Sequence, residues 1–157
     1  MDEPRIKHLE FIQGVVNRLS TNSFLLKGWT VLIVTALLSF AVNQGSLGLG
    51  LFSIVPLAVF WGLDGYFLWE ERKYRAHYER VRKNTDIPVN FDMNASDLSI
   101  DVGGWISATF SKTLVAFHGI ILLSIIAAAS YELGLFQWLR ESSSASTIQM
   151  TPGEQAK

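Results

Sequence analysis

Three long apolar blocks alternate with polar segments along the chain. Residues 24–42 hold 19 residues interrupted by one charge, Lys27. Residues 49–69 hold 21 interrupted by one, Asp64. Residues 113–130 hold 18 interrupted by His118, and apolar character resumes through 133–139. A helix needs about 20 apolar residues to cross a bilayer core of about 30 Å. Each block meets that length, and a soluble core has room for one such block rather than three. The pattern predicts an all-α membrane protein with spans at 23–42, 49–69 and 112–139. The first block is expected to be retained as a span. It follows residues that read as a helix of their own, and no small-x-small cleavage site comes after it.

The polar segments have patterns of their own. In residues 2–20, "DEPRIKHLEFIQGVVNRLS", Ile6, Leu9, Ile12, Val16 and Leu19 recur at helical steps. This predicts an amphipathic helix, with Pro4 in its first turn and Asp2 and Glu3 at the positive end of its dipole. "STNS" at 20–23 is expected to break that helix and to cap the first span. Residues 70–83, "EERKYRAHYERVRK", read as a charged continuation of the second span, six of the fourteen being Lys or Arg. Glu71–Arg75 and Glu79–Lys83 have the favourable i,i+4 order, and Tyr74, His77 or Tyr78, and Val81 form a narrow apolar stripe. Residues 84–104 alternate apolar and polar positions, which predicts a short hairpin or an extended flap. The tail, 140–157, is polar and low in complexity and is expected to be disordered.

Total charge adds nothing, with 13 basic against 14 acidic residues. Its distribution does. Arg5, Lys7 and Arg18 precede the first block, and the linker "NQGSLG" is uncharged. Seven basic residues lie between the second and third blocks. Basic residues collect in cytoplasmic loops. The expected topology is therefore a cytoplasmic N-terminus, a tight outer hairpin, a basic inner loop and an outer C-terminus. Trp69, Trp105 and Trp138 are placed as interface anchors.

"FWGLDGYFLWEERKYR" (60–75) sets the chemical question, because it puts Asp64 inside an apolar block. Counting about 1.5 Å per residue from the cytoplasmic edge places Lys27 about 6 Å inside, Asp64 about 7–8 Å and His118 about 9 Å. The three ionisable residues thus fall in one layer, although the spans alternate in direction. A Lys27–Asp64 pair with His118 as third member removes most of the cost of isolated charges in lipid. Gly62 and Gly65 allow close approach of neighbouring backbones. Three roles fit this layer: a clamp fixing the first two spans, a polar ring lining a gate in an oligomer, and a proton relay through Asp64 and His118. Three spans cannot enclose a pore, so the ring requires self-association.

The basic helix also admits three readings: positive-inside topology, attraction to anionic headgroups, and a site for an anionic cytosolic ligand. For the last, the candidates are Arg72, Lys73, Tyr74, Arg75, Arg80, Arg82 and Lys83, where cations beside aromatic rings allow phosphate contact with base stacking. No Gly-rich phosphate loop accompanies them. The four aspartates of 84–104 lack EF-hand spacing, so no metal is expected. The chain has no cysteine, which excludes disulfides and thiol chemistry. GxSxG, HExxH and Walker motifs are absent, so no enzyme activity and no cofactor are expected.

Four stretches carry a resemblance: "KHLEFIQGVVNRLSTNSFLLKGW" (7–29), "FWGLDGYFLWEER" (60–72), "FDMN" (91–94) and "FSKTLVAF" (110–117). Together they resemble small bacterial multi-span membrane effectors of anti-phage defence, of the Hailong type, which is coupled to a nucleotidyltransferase. The resemblance implies an ion channel in the bacterial inner membrane, assembled from copies of itself; a tetramer is taken as the working number, which the resemblance does not set. It further implies gating by an oligonucleotide made by a neighbouring nucleotidyltransferase, and depolarisation as the outcome. It assigns no role to Lys27 or Asp64. The rival expectation is a non-conducting adaptor that anchors or regulates a cytosolic partner.

Overall fold

The computed structural model describes residues 3–83, 89–99 and 101–134. All its regular structure is helical: α1 (Glu3–Gln44), α2 (Leu47–Phe52), α3 (Ile54–Lys83), a 3₁₀ turn (Ser96–Ser99), α4 (Trp105–Thr109) and α5 (Lys112–Glu132). There is no strand among the described residues. Three stretches are long and apolar enough to cross a membrane: α1, α2 with α3, and α5.

The expected break at 20–23 is not there. The helix α1 runs unbroken for 42 residues through the amphipathic segment and the first apolar block. Ser and Thr interrupt helices when their hydroxyls compete for backbone groups. Here two of those hydroxyls have partners on α3: Ser20 donates to Glu71 and Ser23 to Asp64. Thr21 bonds back to the Asn17 carbonyl within the helix. Before residue 20 the buried face of α1 is Arg5, His8, Leu9, Ile12 and Val16. Ile6, assigned to the stripe from its spacing, is exposed instead.

The chain reverses at Gly45, whose φ of +60° is open to glycine without steric cost. Ser53 then separates α2 from α3, its hydroxyl donating to the Gly50 carbonyl. Pro56 sits in the first turn of α3, where its missing N–H is tolerated. α5 has 21 residues and stops at Glu132, where Gly134 takes φ +65° and donates to the Tyr131 carbonyl. Residues 135–139, expected to continue it, lie outside the described residues, as do 140–157. The three spans meet at Val34, Leu57 and Ile125, one from each, flanked by Leu38, Ile121 and Leu122.

Of the connection between α3 and α5, the described 3₁₀ turn and α4 pack against α3. The alternation in 89–96 is a run of Asx turns rather than a hairpin. Asn90, Asp92 and Asn94 each accept from the backbone N–H two residues on. Such side chains imitate a backbone turn, so a period of two arises without a ladder. A charge pair pins the segment: Arg80 donates to both oxygens of Asp97. That hydrogen bond holds the Asp97 carboxyl below its usual range and the Arg80 guanidinium above its own. A lowered carboxyl contributes fully above the ordinary value near 4, and its contribution disappears as pH falls through the lowered one. Asp97→Asn is therefore expected to speed amide exchange in 89–99 roughly two- to five-fold at pH 7, the scale of an exposed pair. The difference from wild type should vanish at low pH. Equal exchange at neutral pH would show that the pair does not hold the segment.

Candidate functional site: a buried ion pair with a neighbouring imidazole

Asp64 is fully buried, and α1 supplies what neutralises it. Lys27 donates a 2.8 Å hydrogen bond to Oδ1 and lies 2.6 Å from Oδ2 in ion-pair contact. Ser23, one turn before Lys27, donates to Oδ1 and accepts from Lys27 at 2.9 Å. Ser23 and Lys27 reach the same carboxylate because residues four apart share a helix face. The two partners differ in access. The Lys27 side chain is 26% exposed and that of Asp64 is 0% exposed.

From α5, His118 also approaches the carboxylate. Its Nε2 lies 3.9 Å from Asp64 Oδ2, and the residue is fully buried. Its ring is parallel to the Trp61 indole, with centroids 5.4 Å apart, and Phe117 meets it edge-on at 5.0 Å. The structure thus gathers Lys27, Asp64 and His118 from three helices around one carboxylate.

A short helix walls this cluster. α4 packs on α3 at Gly62 and Gly65, flanking Asp64. A β-carbon on Gly65 would fall 2.1 Å from Thr109 Oγ1 and 2.8 Å from Thr109 Cα. Indole N–H groups latch the two helices: Trp61 donates to the Thr109 carbonyl, Trp105 to that of Gly62, and Trp69 to that of Gly103. Trp105, Ile106 and Phe110 remain exposed on the outer side of this helix and its end.

The candidate ligand residues of the basic helix are placed differently. Lys73 is buried, bonded to Glu70 at 2.6 Å and seated 4.0 Å from the Trp69 ring centroid. Arg75 pairs with Glu71, Arg82 with Glu79, and Lys83 approaches Glu79 at 3.8 Å. Arg80 is held by Asp97. Arg72 and Tyr74 are half-buried, and among the described residues Arg72 has no carboxylate partner. Five of the six cations therefore face carboxylates of their own chain.

Spacing alone missed one polar contact at this end. His8 and His77, both buried, donate through Nε2 to the same carbonyl, that of Asp92, at 3.0 and 2.8 Å. Arg80 donates to Nδ1 of His77 at 3.3 Å, which leaves the ring proton on Nε2. The acceptor is brought between them by Phe91, whose φ of +54° is rare for a bulky residue. The Phe91 ring packs on His8 and Phe11. The available signal was His8 itself, four residues before Ile12 on the face that packs against α3. Comparison with protein-family models, with curated proteins and with solved structures found no match.

Proposed function

We propose that this chain is a non-enzymatic protein of the bacterial inner membrane, with its N-terminus and basic helix in the cytoplasm. Copies of it assemble into a pore-type effector of anti-phage defence that a cytosolic signal controls. The observation that carries this reading is the charged layer at Asp64. Lys27 reaches it from the partly exposed side of the bundle, while 17% of each apolar window is buried within the chain. Most of the span surface is left for lipid or for further copies, so a path past the charged layer lies between subunits. The resemblance supports the remainder of the reading, including an oligonucleotide as signal, a nucleotidyltransferase as its source and depolarisation as the outcome.

A non-conducting adaptor is favoured by a different feature. The carboxylates paired with the basic helix, Glu70, Glu71 and Glu79 on the helix itself and Asp97 beside it, leave little free positive charge there for an anionic ligand. Beside that helix, a cavity of about 300 Å³ opens between α1 and α3, lined by Ile6, Leu9, Glu10, Gln13, Tyr78 and Arg82. Membrane potential separates the two readings. Bacteria expressing the chain alone, with its neighbouring gene, and under phage challenge are expected to depolarise in at least one of these states. Asp64→Asn at equal membrane level should alter the response. A potential that holds in every state would overturn the pore and leave the adaptor.

A further inference from the structure

His118 has one nitrogen too many for a purely structural role. Its Nδ1–H donates to the Leu114 carbonyl at 3.1 Å. A carbonyl only accepts, so the Nδ1 proton is fixed, and in the neutral ring Nε2 is a bare acceptor. Nε2 is buried and has no hydrogen-bond partner among the described residues. Opposite it, 3.9 Å away, stands Asp64 Oδ2, also an acceptor. Two lone pairs facing each other in a buried site are costly, and one proton relieves that cost.

We propose that Nε2 of His118 and the carboxylate of Asp64 form a proton-binding site. A proton from solvent adds to Nε2, and the resulting N–H points at Oδ2. No other bond forms or breaks. The stacked face of Trp61 favours the imidazolium, since a cation over an indole is attracted by the ring quadrupole. Among the described residues, the charged and titratable groups facing the site are Lys27 from α1, Asp64 from α3, and His118 itself from α5. The cost of a buried cation and the like charge of Lys27 oppose uptake, and Asp64 favours it. With the proton bound, Asp64 is shared by two cations. Of these, Lys27 has partial access to the surface and His118 has none. The site does not depend on the chain conducting ions.

Histidine ¹⁵N spectra of the full-length protein in lipid nanodiscs test this, with the His118 signals assigned by their loss in His118→Gln. A ring protonated at Nδ1 alone is expected at pH 8.5, and an imidazolium at pH 5. In Asp64→Asn the same conversion should need about ten-fold or more higher proton activity, the scale of removing one close opposite charge. A His118 ring that stays neutral down to pH 5 would overturn the proposal without any variant. So would a titration that Asp64→Asn leaves unmoved. Neither result bears on the pore, which is read from membrane potential.

Discussion

Lys27→Met is expected to be the most damaging single substitution at the charged layer, costing about 3–5 kcal/mol, the usual scale for removing one partner of a buried pair. The reason lies in the unequal access of the two side chains. Without Lys27, the fully buried Asp64 carboxylate is left, among the described residues, with the Ser23 hydroxyl as its remaining donor. Asp64→Asn should cost less. The orphaned Lys27 is partly exposed and can extend its ammonium toward the interface, and an Asn oxygen still accepts from Ser23. Replacing both by apolar residues, Lys27→Met with Asp64→Leu, should recover much of the loss, because a buried pair often does no better than its hydrophobic replacement. Unfolding midpoints of these four proteins in one detergent give the order directly, and Asp64→Leu alone, added as a fifth, closes the double-mutant cycle with Lys27→Met. If Lys27→Met melts with wild type, the pair is not what holds Asp64 in the bundle.

This asymmetry could not be read from the sequence, although the pair could. Counting residues from the edges of three apolar blocks was enough to put Lys27, Asp64 and His118 at one depth, because helical rise is constant. Exposure depends on which way α1 is turned about its axis, and that is decided by contacts with α3. The same limit explains the missed continuity of α1. Residues 20–23 carry a break signal only if their hydroxyls lack outside partners, and Glu71 and Asp64 are some 40 to 50 residues away. In the segment after α3, a period of two was legible but its cause was not. Strands and consecutive Asx turns both place apolar side chains at alternate positions, and Asn90, Asp92 and Asn94 supply the turns. The role of α4 was least legible, since five residues carry no periodicity. Its position is nevertheless recorded on α3, in Gly62 and Gly65 on either side of Asp64.

Gly65→Ala turns that record into the second large effect. One added carbon would stand 2.1 Å from Thr109 Oγ1, which can rotate away, but also 2.8 Å from Thr109 Cα, which cannot. Relief therefore requires α4 to move off α3 as a unit. The bonds from Trp61 to the Thr109 carbonyl and from Trp105 to that of Gly62 span this contact and are lost together. The half-buried Trp61 N–H is left short of a partner, at about 1–3 kcal/mol, while the exposed Trp105 N–H can turn to solvent and adds less. Trp61 also stacks on His118, so the disturbance reaches the charged layer. Gly28→Ala and Gly119→Ala are the controls, because their added carbons meet nothing within 4 Å. Relative to these two, Gly65→Ala should lower the unfolding midpoint and shift tryptophan emission to the red as the indoles lose their seats. Thr109→Gly removes the side-chain part of the clash alone, so adding it should restore only part of the loss. Full recovery would mean that α4 stays in place and only a hydroxyl moves. If all three single variants behaved alike, the close approach at Gly65 would not be what docks this helix.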